Sequence, residues 1–244
     1  MLASTAPYKI KPYHPVVLSH LQDIQAQTIL DAPCGHGWLG YQLQKQSSTA
    51  VLDGLGLWEY PAEDLTIYRD VREHDLDKPL PALGRKYDAV VCGEALHLLT
   101  NPGLVLAGFA DSLKPGGSVI ITTPNTWHAR SRGQFFLRGF HSGFSPNYGK
   151  KRGDYITYFP FSFPQLHLLL THAGFSNVKL HEVAEPKPKR IVERLLALPG
   201  RIYCERKRRE AETMDEAAYW GHAGSAQSQF GRWLVVSAQK SVRQ

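Results

Sequence analysis

Short apolar runs alternate with amphipathic stretches through most of the chain, which predicts strands interleaved with helices around a parallel sheet. Residues 14–24 place Val16, Val17, Leu18 and Leu21 at helical spacing. Residues 28–32 (TILDA) form a short buried strand that runs into a glycine turn, and residues 38–43 open a helix. Residues 50–57 read as a second strand, weakened by Gly54 and Gly56. A helical turn follows at 62–68, a short third strand at 73–76 and a clear buried strand at 87–92 (YDAVVC). A helix over 103–113 is stopped by Lys114-Pro115-Gly116-Gly117, and a strand follows at 118–123 (SVIITT). Between 125 and 161 the periodicity fails, which predicts a long loop of lid or binding type. Ser162, Pro164 and Gly174 bracket a helix over 162–173. Strands at 178–183 and 233–238 end the pattern, with a basic insertion at 186–229 that holds a helix at 191–198.

With 244 residues, 43% of them hydrophobic, the chain can bury one sizeable α/β core. The expected organisation is one domain over 1–244, with the loop 125–161 as a lid and 186–229 as an insertion. Charged residues are 20%, which excludes a disordered polyelectrolyte. The net charge of +6 fits a soluble surface with extra lysine and arginine better than a dedicated polyanion site. Cys34, Cys92 and Cys204 lie far apart without zinc-ligand spacing, so a reducing, cytoplasmic setting is expected. Residues 1–11 lack the apolar stretch of a signal peptide.

The turn Gly35-His36-Gly37-Trp38-Leu39-Gly40 follows a strand and opens a helix. Such a turn lets a ligand approach the backbone where a Cβ would block it. Asp31 separates the candidate ligands. A carboxylate beside the glycines would repel the pyrophosphate of a dinucleotide, whereas a cofactor with a cationic end would welcome it.

The ordered motifs resemble those of the class I S-adenosylmethionine (SAM)-dependent methyltransferases, especially the bacterial small-molecule and glycan enzymes of the type 11 group. The first is Ile29-Leu30-Asp31-Ala32-Pro33-Cys34-Gly35-His36-Gly37, followed by His74-Asp75-Leu76 with Pro79-Leu80-Pro81. Next come residues 87–97, containing Glu94 and His97, and Leu113-Lys114-Pro115-Gly116-Gly117 ahead of Ile121-Thr122-Thr123-Pro124-Asn125. The resemblance covers roughly 28–175 and the terminal strand. It implies a Rossmann-like α/β fold, a seven-stranded mostly parallel sheet with helices on both faces and an antiparallel last strand. It also implies that Asp31, Cys34, Gly35, Gly37, Asp75, Leu76 and Glu94 seat SAM, with Asp31 toward the ammonium and Asp75 toward the adenine amine.

One departure matters. The family usually ends its second strand in an acid that binds the ribose hydroxyls, and here that position is Gly56, with Asp53 or Glu59 as substitutes. Leu98 also stands where many relatives carry a second histidine.

Methyl transfer to a hydroxyl needs alignment and a base. His97 is the candidate base, or a substrate contact, with His128 and His141 as rivals. The lid carries Arg130, Tyr148, Lys150, Lys151, Arg152, Tyr155 and Tyr158 among its acceptor-reading candidates. In the insertion, apolar residues lie among Lys187, Lys189, Arg190, Arg194 and Arg201. A helix lying on the domain surface is the favoured reading there, and peripheral membrane contact is the competing one. The amino-directed nucleic-acid motif is absent after the fourth strand, where Cys92-Gly93-Glu94 stands, which disfavours nucleic acid as the acceptor. The expected activity is therefore methyl transfer, O-directed, to a small molecule or a glycan or lipid intermediate. The rivals are a non-catalytic SAM-binding relative acting through partners, favoured by Gly56, and a nicotinamide-dependent oxidoreductase.

Overall fold

The computed structural model describes residues 9–57, 67–142, 156–185 and 191–241. Its elements run α1 (His14–Asp23), β1 (Thr28–Asp31), α2 (Trp38–Lys45), β2 (Val51–Gly56), β3 (Tyr68–Glu73), β4 (Tyr87–Gly93), α3 (Pro102–Ser112), β5 (Leu113–Pro124), α4 (Ala129–Arg138), α5 (Phe163–His172), β6 (Phe175–His181), α6 (Ile191–Arg209), α7 (Met214–Gly224), α8 (Ala226–Phe230) and β7 (Trp233–Lys240). A short 3-10 turn, Leu96–Leu98, follows β4. The strands form one seven-stranded sheet in the order β3-β2-β1-β4-β5-β7-β6. The first five are parallel to one another, and β7 runs antiparallel between β5 and β6. This is the α/β architecture expected from the alternation.

Strand pleating divides the interior into two cores. Leu30, Val90, Cys92, Val119, Ile121, Leu234 and Val236 point to one face, where α3 and α5 cover them with Val105, Phe109, Phe163 and Leu166. Ile29, Ala89, Val91, Ile120 and Val235 point to the other, under α1 and α2 with Val17, Leu21, Leu39 and Leu43. Both faces of the central strands are buried, which is why they read as continuous apolar runs.

Several boundaries differ from the sequence reading. The third strand is Tyr68–Glu73, not 73–76. It is an edge strand paired only with β2, so its charged residues stand in solvent and no apolar pattern marks it. Of the expected turn at 62–68, residues 62–66 lie outside the described residues, and Tyr68 already belongs to β3. Residues 125–161 are not all loop. They contain α4, capped by His128, whose ring accepts from the Ser131 backbone N–H at 3.3 Å. The helix expected at 191–198 runs on to Arg209, through Pro199.

Candidate functional site

The order of the strands creates the site. β1 has β2 on one side and β4 on the other. The chain leaves β1 into α2 on one face and leaves β4 toward α3 on the opposite face. A crevice therefore opens beyond the carboxyl ends of these strands. It holds a cavity of about 350 Å³, in the range of small-molecule sites. Gly35 contributes from the glycine turn, Gly56 from the end of β2, Asp75 and Leu76 from the β3 exit, and Glu94 from the β4 exit.

Gly35 and Gly37 take φ of 48° and 75°. In that left-handed region a side chain is disfavoured, so the turn keeps its backbone open to the crevice. Asp31 is fully buried beside this turn. Its Oδ2 accepts from the Tyr68 hydroxyl at 2.5 Å, while Oδ1 is buried with no hydrogen-bond partner. Burial raises its pKa to about 7, and the Tyr68 hydrogen bond opposes that rise. A carboxylate with one shielded, unanswered oxygen is suited to an incoming cation.

Glu94 is the second acid. Its φ of 51° is unusual for a residue with a side chain, and its N–H donates to the Thr122 carbonyl at 2.9 Å. Its Oε2 accepts from Lys11 at 2.6 Å and from the Tyr13 hydroxyl at 2.5 Å. The N-terminal segment is thereby pinned against the cavity wall. Asp75 uses Oδ1 to accept from the Asp77 N–H at 3.0 Å, a local turn that leaves Oδ2 beside the exposed Lys78.

Other expected residues stand elsewhere. Cys34 is buried under the turn, its backbone N–H donating to Leu55 at 2.8 Å, and burial pushes its thiol up to about 12. Gly37 is the residue before α2 and, with Asp31 and Cys34, is not part of the cavity lining. Asp53, one of the expected substitutes for an acid at Gly56, is engaged away from the cavity lining. It is buried, with a bidentate contact from Arg69 at 2.7 and 3.1 Å and a hydrogen bond from the Tyr87 hydroxyl at 2.7 Å. Glu59 lies outside the described residues.

His97 sits in the 3-10 turn beside Leu98 and Leu99, which line the cavity. It is buried, its Nδ1 has no partner, and desolvation lowers its pKa to about 4. Its carbonyl accepts from the N–H groups of Tyr158 and Phe159 at 3.0 and 3.2 Å. This joins the half-exposed Tyr158 to His97. His128 and His141 instead converge on Ser131, His128 as the α4 cap and His141 through a 3.3 Å contact to the hydroxyl. Burial lowers the pKa of both. Arg130 is exposed on α4. Tyr148, Lys150, Lys151, Arg152, Tyr155, Lys187, Lys189 and Arg190 lie outside the described residues.

Sequence reading missed Lys11, Tyr13 and Tyr68, whose partners lie 83, 81 and 37 residues away. His74 enters that reading only within the motif His74-Asp75-Leu76, with no role of its own, yet it lines the cavity with Gly56 and its Nε2 is buried without a partner.

Residues 7–180 match the family described as methyltransferase domain. The ubiquinone biosynthesis O-methyltransferase of Hydrogenovibrio crunogenus is 32% identical over 134 residues, 49% of this chain and 52% of that protein. The Escherichia coli O157:H7 protein of the same name is 26% identical over 129 residues, 48% of this chain and 54% of that protein. The chain thus spans about half the length of the curated relatives it matches. Among solved structures, an O-methyltransferase family protein of Burkholderia thailandensis aligns with a TM-score of 0.53 at 16% identity, over 95% of this chain and 57% of the other. Human N-acetylserotonin methyltransferase in complex with SAM aligns at 0.50 and 13% identity, over 94% of this chain and 52% of the other. At these identities the structural likenesses show the fold.

Proposed function

The chain belongs to the methyltransferase-domain family, with the fold of the class I SAM-dependent enzymes, and from that premise we propose that it moves the methyl group of SAM to a hydroxyl on a small-molecule or glycan or lipid-intermediate acceptor. The observation that carries the cofactor seat is the cavity at the carboxyl ends of β1, β2 and β4, lined by Gly35, Asp75, Leu76 and Glu94, with the buried Asp31 carboxyl and its one unanswered oxygen behind the glycine turn. Its geometry fits a ligand with an ammonium and a sulfonium and does not fit a pyrophosphate.

In this reading SAM supplies a methyl group on a cationic sulfur, and its loss leaves a neutral thioether that needs no acid. Asp31 and Glu94 hold the cationic end, with Tyr68 fixing Asp31 and with Lys11 and Tyr13 fixing Glu94. Asp75 would accept from the adenine amine, and the Leu76 backbone would border the ring. Gly35 and Gly37 let the backbone approach. His97, neutral above its pKa of about 4, takes the proton of the acceptor hydroxyl. Alignment of the two reactants supplies most of the acceleration. The chain acts as one methyltransferase domain, with α4 and the 156–161 segment bordering the acceptor.

Two substitutions separate these roles. His97→Ala leaves SAM affinity unchanged and lowers methyl transfer by about 100-fold, the usual worth of a positioned base. The test is transfer of labelled methyl to a panel of phenols, sugars and polyprenyl alcohols, with SAM affinity measured by calorimetry. Unchanged turnover would remove His97 from the chemistry. Gly56→Asp restores a carboxylate at the end of β2 and tightens SAM binding by about tenfold, the worth of one charged hydrogen bond. Unchanged affinity in the folded variant would mean that the ribose does not face that position.

A further inference from the structure

The apolar surface around α4 and α6 is out of keeping with a helix pair that only covers its own domain. α6 buries just Ala197 and Cys204, seven residues apart, a stripe too narrow to account for its apolar content. Ile191, Val192, Leu195 and Ile202 are 74%, 61%, 60% and 61% exposed. On α4, Phe136 and Leu137 are 88% and 82% exposed, more than almost any other large apolar residue described. The two helices touch: Leu196 lies against Gly133, and Arg132 against Gly200. Both helices therefore carry exposed apolar side chains close to their contact, Phe135, Phe136 and Leu137 on α4 and Leu195, Leu196 and Leu198 on α6.

The charges on these two stretches are mostly positive. Arg130, Arg132 and Arg138 lie on α4 and Arg194 and Arg201 on α6, with Glu193 the lone acid among these residues. Arg138 stacks on Phe140 with its guanidinium 5.1 Å from the ring. The run Arg206–Arg209 differs, because Glu205 and Glu210 pair with it along the helix. No described helix is long and apolar enough to cross a membrane. Exposed apolar side chains rimmed by arginines are the chemistry of a surface that lies in a lipid interface. The patch is also on the catalytic side. α4 follows the carboxyl end of β5, and Thr126 just ahead of it donates through both its N–H and its hydroxyl to the carbonyl of Phe161, in the segment bonded to His97.

We propose that the face formed by α4 and the first half of α6 seats the protein on an anionic lipid surface, with the acceptor side of the crevice toward the lipid. Phe136, Leu137, Ile191 and Val192 enter the acyl boundary, and Arg130, Arg138, Arg194 and Arg201 meet the headgroup phosphates. This inference stands apart from the methyl-transfer reading, because lipid binding and SAM binding are measured separately.

The test is co-sedimentation of the full chain with vesicles of phosphatidylcholine alone and with added phosphatidylglycerol, alongside sedimentation velocity without lipid. The expected result is binding to the anionic vesicles, little to the neutral ones, and release as salt is raised. The double variant Phe136→Ser with Leu137→Ser, and separately Arg138→Glu with Arg194→Glu, should each lower vesicle binding by about tenfold at unchanged SAM affinity. The charge variant leaves apolar packing intact, so it keeps the test sound if the serine variant fails to fold. Absence of binding to anionic vesicles would overturn the proposal. So would binding that neither variant reduces, or a concentration-dependent dimer that the same substitutions abolish without any vesicle binding.

Discussion

Asp31→Asn should raise the thermal stability of the ligand-free protein at pH 8 and weaken SAM binding by about 100-fold. Both effects come from one carboxyl. Its pKa is 3.8 in the unfolded chain and about 7 in the folded one. Holding it ionised in the fold therefore costs about 4 kcal/mol, an order-of-magnitude figure. The folded state binds the extra proton between these two values, so this group's contribution to stability is fully present below about pH 4. That contribution declines as pH rises toward about 7 and is flat above. An amide has the same shape and no charge to desolvate, so the melting temperature should rise by roughly 5 °C or more at pH 8. Near pH 5 the gain should shrink, because the wild-type carboxyl is already neutral there. A cationic ligand reverses the preference. Its binding favours the ionised carboxyl and expels the proton, so wild-type SAM affinity should increase with pH up to about 7 and then level off. In Asp31→Asn that pH dependence should vanish. Scanning calorimetry and SAM titrations from pH 5 to pH 9 read both effects. A variant that binds SAM as tightly as the wild type, with the same pH profile, would exclude Asp31 from the cofactor seat.

Asp53→Ala should do the opposite: lower stability and leave the cofactor alone. Asp53 is buried beneath Arg69 and Arg85 and accepts from the Tyr87 hydroxyl, which is itself buried. Removing the carboxylate leaves that hydroxyl unpaired and two guanidinium groups without their counter-charge. Leaving that buried hydroxyl unpaired costs about 2 kcal/mol, or roughly 4–8 °C in melting temperature for a chain of this size, while the guanidinium groups, each more than a third exposed, are taken up by water and add little. SAM affinity should stay within about threefold of wild type, because Asp53 is three residues short of Gly56, the β2 residue that reaches the cavity. Retained stability with lost SAM binding would return Asp53 to the ribose position.

These two aspartates show what a sequence can and cannot tell. The buried central strands were legible because covering both faces of a parallel sheet demands unbroken apolar runs, as in residues 87–92. The glycine turn was legible because its backbone requires residues free to adopt positive φ. Asp31 and Asp53 look alike on paper, each an acid within an apolar strand. Their difference lies in partners that arrive from elsewhere. Asp53 is answered by Arg69 and Tyr87, and Asp31 by Tyr68 on one oxygen only.

The elements that escaped detection did so for physical reasons. β3 is a charged edge strand with little apolar surface to bury. α4 carries Phe135, Phe136 and Leu137 in succession, a pattern without helical period because these residues do not pack into the core. α6 runs through Pro199-Gly200, a pair that normally ends a helix, and Gly200 there packs close to Gln229 and Arg132. The clasp of Lys11 and Tyr13 on Glu94 could be found only once the fold had brought the N-terminal segment over the end of β4.

Isothermal titration of the full chain with SAM, S-adenosylhomocysteine and NADH at pH 8 tests the central claim most directly. Saturable binding of both sulfur compounds, none of NADH, and loss of SAM binding in Asp31→Asn is the predicted result. Absence of SAM binding by the folded wild type, or preferential binding of NADH, would contradict it.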